Sequence, residues 1–349
     1  VAGLAAGFAG VGGGFSANPF PSALDPLLQG LSQEAAQLLD PNRLVNPLCN
    51  WAFTATSCLI IVGVGWWITD RVVEPRLGPP PEPSTDDVVM PERLQRRELR
   101  GLTVAGGVVV AAALALVLWA LPEDSALRSA DGGLTSFTAP LMQAIVSFIF
   151  IGFLLPGLAY GFVAGTFENH RDVVASMTRA MESMGGYLVM AFFASIFIEI
   201  FSRSGLGALS AVEGADFLQW LGLPDGATLV GLVLVCAAAN LLIGSASAKW
   251  ALLAPVLVPM FMRLGLAPEL VQAAYRIGDS ASNVVTPLNP YFPLVLTFAA
   301  RHAGVRGIGS VLATMVPYAV AFLAAWVGLL GLFWAFEIPL GIQGHYVYP

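Results

Sequence analysis

The densest group of ionisable residues lies in the segment Tyr275-Arg-Ile-Gly-Asp-Ser-Ala-Ser-Asn283. Arg276 and Asp279 are three residues apart, so on a helix they share a face. Two interpretations are open. One is a structural ion pair that neutralises both side chains. The other is an anion-binding arginine, which can bind a carboxylate through two parallel hydrogen bonds, beside an aspartate that carries a proton or helps to coordinate sodium. The position just before a proline-containing break favours the second.

Three further ionisable side chains lie in apolar segments. Asp25 is either a helix N-cap near Pro26 or a coupling carboxylate. Glu199 is an intramembrane acid that could pair with Arg203 four residues later. Lys249 could extend to the membrane interface, or it could contact a substrate or a half-helix carbonyl. A charge at membrane depth costs about 2.5–3.5 kcal/mol on insertion scales, so each of these residues is a functional candidate.

Neutral side chains add to the candidate site. Trp250 offers a flat face for stacking an aromatic ring, or it simply packs. Donors and oxygen ligands suited to a carboxylate and a hard cation are provided by Asn18, Asn240, Ser245, Ser247, Ser282 and Asn283. A sodium site is predicted at Asn18, Asp25, Asp279 and Asn283. The cysteines and histidines show no metal-binding spacing, so no resident cofactor is expected.

The composition indicates which elements position these residues. The 349 residues are 56% hydrophobic and 11% charged, with a net charge of −7, whereas a typical soluble domain is roughly 25% charged. An ordinary cytosolic enzyme, a disordered chain and a nucleic-acid binder are therefore excluded, and a polytopic membrane protein remains. Because a spanning helix needs about 20 apolar residues, the candidate spans are 49–69, 101–121, 138–166, 183–203 and 308–336.

Two regions are apolar but interrupted. Residues 227–263 contain a polar tip at Gly244–Lys249 and predict a re-entrant hairpin. Residues 268–302 predict a spanning element broken near Pro287, where proline removes a backbone donor. A similar tip at 12–18 and a similar break at 46–51 come early in the chain. Paired broken segments in two halves of a chain are typical of a transporter site.

The sequence predicts five successive regions along the chain. Residues 1–69 form the C-terminal part of a first repeat, 70–100 a polar loop, 101–203 transmembrane helices, 204–302 the second hairpin and broken helix, and 303–349 the last spanning helix and a tail. On the order of 100–150 residues of the first repeat are expected before Val1. The Arg-richer loops fall on one side, predicted cytoplasmic. The same count puts both hairpins on one side, which does not fit a simple inversion, so the orientation stays open.

Several of these motifs are similar to those of the AbgT family of p-aminobenzoyl-glutamate transporters. The segment 275–283 followed by Thr286-Pro-Leu-Asn-Pro-Tyr-Phe292 resembles the second signature of that family. Phe8–Asn18 resembles its first hairpin and Gly244–Trp250 its second, and Val73–Leu77 after two tryptophans also fits. The Gly- and Pro-rich residues at 12–19 depart from the family pattern.

The resemblance implies an all-α homodimer with inner and outer helical layers, two re-entrant hairpins and an inverted repeat, placed in the bacterial inner membrane. It implies import of p-aminobenzoyl-glutamate in some members and export of sulfonamides in others, coupled to the proton gradient and with a sodium site. The positions that match the functional residues of the family are Asp25, Asn240, Trp250, Pro268, Arg276 and Asp279.

Other classes of function fit the sequence less well. An intramembrane hydrolase would need a nucleophile–base pair or a metal cluster, and no such arrangement appears. A channel would show a continuous polar stripe rather than paired broken hairpins. Within transporters, a sodium-coupled dicarboxylate or citrate symporter with two hairpins is the main alternative.

Overall fold

The computed structural model describes residues 2–22, 24–77, 95–130, 132–134, 139–183, 203–289 and 308–349, with isolated residues between 184 and 202 and between 290 and 300. The described part is helical and contains no strand apart from an isolated bridge between Leu266 and Val347. The all-α prediction is therefore confirmed. The chain divides into two compact units, residues 1–87 with 194–349, and residues 88–193.

The larger unit begins with three helices, α1 (Ala2–Gly14), α2 (Leu24–Gln37) and α3 (Trp51–Ile68). A π-helical turn, Thr69–Val73, and the short helix α4 (Glu74–Leu77) extend α3. The predicted polar loop at 70–100 is therefore too long at its first end. Charged residues such as Asp70 and Arg71 continue the helix, because a helix that ends outside the apolar layer tolerates them. Most of the rest of that loop, including its Pro-rich run, lies outside the described residues.

The smaller unit contains α5 (Arg96–Ala120), α6 (Pro140–Gln143), α7 (Ile145–Ala164) and α8 (His170–Ser183). Helices α5 and α7 pack closely where α5 carries a glycine. A Cβ on Gly101 would lie 3.0 Å from Cδ2 of Tyr160 and 3.2 Å from Cβ of Ala164. The predicted loop at 70–100 is also too long at its second end, since α5 begins at Arg96.

The larger unit continues with α9 (Leu206–Leu221), α10 (Asp225–Asn240), α11 (Ala246–Arg263), α12 (Pro268–Ser282) and α13 (Ile308–Ala335). By length and composition, four helices in the described part can cross a membrane: Trp51–Leu77, Arg96–Ala120, Ile145–Ala164 and Ile308–Ala335. They match four of the five predicted spans. The fifth, 183–203, lies mostly outside the described residues.

The two predicted interruptions are present. Residues 241–245 separate α10 from α11, so the second tip lies a few residues earlier than predicted, and the predicted tip residues from Ala246 to Lys249 begin α11. Turns at 283–289 follow α12 at the predicted break. The second half of that broken element lies outside the described residues. In the first half of the chain, turns at 41–50 precede α3. The two blocks differ, because α2 alone lies between the first tip and its break, whereas both α11 and α12 lie between the second tip and its break. The first stretch is shorter and holds only one helix.

The last residues of the chain form a C-terminal tail (337–349) that binds two distant turns. Ile342 N donates to the carbonyl of Leu48 at 3.0 Å, and Tyr348 N donates to the carbonyl of Gly265 at 2.8 Å. Gly341 permits the approach, since a Cβ there would lie 2.2 Å from the Leu48 oxygen. The tail therefore joins the break before α3 to the turn between α11 and α12.

Candidate functional site

Helix α12 forms the centre of the candidate site. All 15 of its residues are buried, although its sequence is strongly amphipathic. Its polar residues Glu269, Gln272, Arg276 and Asp279 recur at the three- and four-residue spacing of one helix face. Each of them bonds to a side chain of another segment, so the polar face of α12 faces other parts of the protein rather than solvent.

The first of these contacts joins the two halves of the chain. Nη1 of Arg276 lies 2.5 Å from Oδ1 of Asp25, and both residues are at most 5% exposed. Asp25 lies in the first turn of α2, and its other carboxylate oxygen accepts hydrogen bonds from the backbone N and hydroxyl of Ser22 at 2.6 and 3.0 Å. Asp25 is therefore the counter-ion of Arg276 rather than an N-cap.

The contact with Asp25 occupies only one nitrogen of Arg276. Nε and Nη2 are buried and have no hydrogen-bond partner in the described part of the chain. These two nitrogens form one edge of the guanidinium plane, the edge that binds a carboxylate through parallel hydrogen bonds. Arg276 is thus oriented by Asp25, while its bidentate edge has no hydrogen-bond partner in the described part of the chain.

Asp279 pairs with a different cation. Nζ of Lys249 contacts Oδ1 of Asp279 and also the side-chain oxygen of Asn240, and all three residues are buried. The first of the two interpretations, a structural ion pair between Arg276 and Asp279, is therefore wrong. Although the two residues share a face of α12, each is neutralised by a closer charge on another helix. Lys249 does not extend to the interface either, because its ammonium is completely buried.

Asn240, the last residue of α10, organises the end of α12. Its Nδ2 lies 2.9 Å from the carbonyl of Asp279, the hydroxyl of Ser282 and Oδ1 of Asn283. A glycine allows α10 to approach so closely, since a Cβ on Gly278 would lie 2.4 Å from a backbone oxygen of α10. Five predicted site residues, Asn240, Lys249, Asp279, Ser282 and Asn283, therefore lie in one hydrogen-bonded cluster.

Trp250 packs within the protein. Its ring is stacked on that of Tyr275, with centroids 4.3 Å apart, and it is fully buried. Its Nε1 donates to the hydroxyl of Ser32 at 2.9 Å, and that hydroxyl donates to Oε1 of Gln272 at 2.7 Å. Nε2 of Gln272 is left buried without a partner in the described part. Trp250 thus helps to orient Gln272, one helical turn before Arg276.

A third ion pair to α12, made by an arginine in the turns after α2, was not predicted. Arg43 donates from Nη2 to both carboxylate oxygens of Glu269, at 2.9 and 3.0 Å, and the ring of Tyr348 lies 5.8 Å from its guanidinium carbon. Partial burial, and then the negative charge of Asp40, raise the pKa of Tyr348, which donates to Asp40 at 3.2 Å. The position of Glu269 seven residues before Arg276, on the same helix face, is the signal that could have revealed it.

The remaining candidates lie at the tips and the break. Both tips approach the turns after α12: a Cβ on Gly12 would lie 2.5 Å from Cγ1 of Val284, and one on Gly244 would lie 2.4 Å from the Leu288 carbonyl. No hydrogen bond connects the other polar tip residues to the ion pairs in the described part of the chain. Asn18 bonds to Phe15, Ser245 caps α11 and lies near Ser247, Pro268 begins α12, and Pro287 is exposed in a turn.

Glu199 is not part of this cluster. It pairs with Arg203, four residues later, at 2.5 Å, and both side chains are mostly exposed. The interpretation as a local i,i+4 ion pair is confirmed.

Long apolar helices, two interrupted segments and a buried set of charges in the larger unit define a multi-pass membrane protein with the architecture typical of secondary transporters. The sequence profile of the AbgT putative transporter family matches residues 1–348, so the chain belongs to the AbgT family. The predicted fold class, family and multi-pass location in a membrane are thereby confirmed.

Characterised relatives agree with this membership. The chain is 35% identical to the p-aminobenzoyl-glutamate transport protein of Escherichia coli K12 over 341 residues, which is 98% of this chain and 66% of that protein. The crystal structure of the YdaH transporter of Alcanivorax borkumensis, described as having an unusual topology, matches with a TM-score of 0.88 and 41% identity. That match covers 97% of this chain and 71% of YdaH.

MtrF of Neisseria gonorrhoeae, described as illuminating a class of antimetabolite efflux pumps, matches with a TM-score of 0.88 and 40% identity, over 99% of this chain and 69% of MtrF. The chain therefore spans about two thirds of the length of these relatives. They are named as transport proteins and efflux pumps, not as enzymes.

Proposed function

We propose that this chain belongs to a secondary active transporter of p-aminobenzoyl-glutamate and related folate-pathway compounds. The observation that carries the proposal is the bidentate edge of Arg276, which is buried and has no partner among the described residues, while Asp25 holds the opposite side of the guanidinium. A carboxylate, such as those of a glutamate, is the kind of group that this edge binds through two parallel hydrogen bonds. The naming of the Escherichia coli relative as a p-aminobenzoyl-glutamate transport protein supports the choice of substrate.

The balance of charge supports coupling to protons. Asp25 and Asp279 carry two negative charges, and Arg276 and Lys249 carry two positive charges, so the buried cluster is neutral as a whole. A substrate carboxylate at Arg276 would add one uncompensated negative charge to this buried environment, which is costly. Uptake of one proton by either aspartate restores neutrality. Substrate binding and proton binding at this cluster are therefore expected to affect each other, which links transport to the proton gradient.

Export of sulfonamides is a finer part of the same proposal. A sulfonamide has no carboxylate but can be partly anionic, so it can use the same guanidinium edge with fewer hydrogen bonds. The similarity to MtrF, named among antimetabolite efflux pumps, supports this activity. We also propose a homodimer, as the resemblance to the family implies.

Transport by purified protein in lipid vesicles tests these proposals. We expect saturable uptake of labelled p-aminobenzoyl-glutamate, driven by a pH gradient and absent without it. Labelled succinate is the matched control, because it has two carboxylates but no aromatic amide. Preferential transport of succinate under a sodium gradient would instead identify the dicarboxylate symporter.

A further inference from the structure

The predicted sodium site does not fit the side chains that the structure brings together. Sodium is a hard cation that needs several oxygen ligands at once. Of the four residues predicted to bind it, Asp25 is paired with Arg276, and Asp279 is paired with Lys249. Oδ1 of Asn283 accepts from Asn240, and Asn18 bonds to the backbone of its own tip. The side-chain oxygens of Asp25, Asp279 and Asn283 are therefore divided among separate partners, and Asn18 donates from its amide nitrogen to the carbonyl of Phe15.

A cation is nevertheless present at the centre of the cluster. Nζ of Lys249 contacts a carboxylate oxygen of Asp279 and the amide oxygen of Asn240, which are oxygens of the kind that ligate hard cations. The ring of Tyr275 lies 5.8 Å from the same nitrogen, which is a favourable distance for a cation. The ammonium is therefore surrounded by two oxygen ligands and an aromatic face.

The type of residue is consistent with this role. Lys249 is the only lysine in the chain, and the other fifteen basic residues are arginines. An ammonium is a compact point charge, like a monovalent metal ion, whereas a guanidinium is a planar fork. A lysine can therefore occupy a small cation site between two oxygens, which arginine does not fit.

We propose that the ammonium of Lys249 is a built-in cation that takes the place of sodium between Asn240 and Asp279, so that this protein does not need sodium. The role of Lys249 in transport rests on the proposed function. Its effect on sodium binding can be tested separately, because that measurement needs no transport.

Substitutions at position 249 separate the charge of the lysine from its volume. Lys249→Ala removes the ammonium and leaves room for an ion beside Asp279 and Asn240. Lys249→Met removes the ammonium but keeps the bulk of the side chain, and it is the matched control. The measurement is the Tm of each purified protein in sodium chloride and in choline chloride at equal ionic strength.

We expect the unsubstituted protein to have the same Tm in both salts, within about 1 °C. Lys249→Ala should have a lower Tm in choline and regain several degrees in sodium, because an ion that binds only the folded state stabilises it. Lys249→Met should show no such gain. If Lys249→Ala folds only when purified in sodium, that result also supports the proposal.

Two outcomes overturn it. One is a sodium-specific rise in the Tm of the unsubstituted protein. The other is a folded Lys249→Ala protein that responds equally to sodium and choline. In vesicles, sodium-independent uptake of p-aminobenzoyl-glutamate is expected. If the protein does not transport that compound in either salt, the proposed substrate is wrong. The Tm measurement then still decides whether Lys249 takes the place of sodium.

Discussion

Asp25 and Arg276 are 251 positions apart in the chain, yet a carboxylate oxygen of one lies 2.5 Å from a guanidinium nitrogen of the other. The contact joins α2 from the first half of the chain to α12 from the second. Because it uses Nη1, it orients the guanidinium, and the opposite edge has no partner in the part of the chain that the structure describes. Asp25 thus neutralises Arg276 and also orients its guanidinium group.

Arg276→Lys should weaken binding of p-aminobenzoyl-glutamate about 10- to 100-fold, because an ammonium cannot replace two parallel hydrogen bonds to a carboxylate. Lysine keeps the positive charge beside Asp25, so the fold should survive. Binding of a sulfonamide should decrease less. The affinities of both ligands are measured on the same purified variant. Equal losses for both ligands would mean that Arg276 only positions its neighbours.

Substitutions of Trp250 should change stability without changing ligand preference. Trp250→Phe keeps a ring against Tyr275 but loses the hydrogen bond to Ser32, at a cost of about 1 kcal/mol. Trp250→Ala removes the ring and should cost about 3–5 kcal/mol. Unfolding measurements test these values. Trp66→Phe is the control, because Trp66 is 70% exposed and its loss should have little effect.

Ligand binding by the same Trp250 variants tests its role in the site. We expect equal changes in affinity for aromatic and aliphatic carboxylates, because the Tyr275 ring covers one face of the indole and the residue is fully buried. A selective loss of aromatic ligands in Trp250→Phe would show that the indole contacts the substrate directly.

The two partners in the Arg43–Glu269 pair should differ in their effect on stability. Arg43→Ala leaves the Glu269 carboxylate buried, with 1% exposure, and should cost about 3–5 kcal/mol. Glu269→Gln leaves a partly exposed arginine that water and the Tyr348 ring can still stabilise, so its cost should be about 1–2 kcal/mol. Chemical unfolding of both variants checks the order. A larger loss for Glu269→Gln would contradict this account.

Gly341→Ala should detach the C-terminal tail. The added Cβ would lie 2.2 Å from the backbone oxygen of Leu48, which cannot move away as a flexible side chain could, so we expect a loss of about 1–3 kcal/mol. Gly328→Ala in α13 is the matched control, since a Cβ there meets no atom within 4 Å and alanine favours the helix. Faster proteolysis of the tail in Gly341→Ala alone is the expected result, and equal proteolysis of both variants would count against a docked tail.

The sequence identifies the buried charges better than it identifies their partners. Asp25, Lys249, Arg276 and Asp279 stand out because a charge in an apolar segment is costly and therefore needs a reason. Spacing along one helix suggests only neighbours such as Arg276 and Asp279. The actual partners come from other helices, 251 and 30 residues away, and no local pattern specifies such contacts.

The secondary-structure elements also divide into those that a local pattern predicts and those that depend on distant contacts. The long apolar helices, the second tip and the break after α12 are predictable, because length, hydrophobicity and proline act locally. The C-terminal tail has no periodic pattern, and its role depends on the backbone of Leu48 and Gly265, which the sequence does not place nearby. Ser32 and Gln272 were missed for a similar reason, since each is an ordinary polar residue until the two helices meet.

The contacts between α2 and α12 occur at successive levels and in opposite order along the two helices: Asp25 with Arg276, Ser32 with Gln272, and Arg43, just after α2, with Glu269. At one end the acid comes from α2 and the base from α12, while at the other end the roles are exchanged. A shift of one helix along the other would separate both ion pairs at the same time. The two helices are therefore expected to move as one rigid body during alternating access, and the parts that open and close must lie around them. Distance probes on the two helices should report one constant separation in every ligand state.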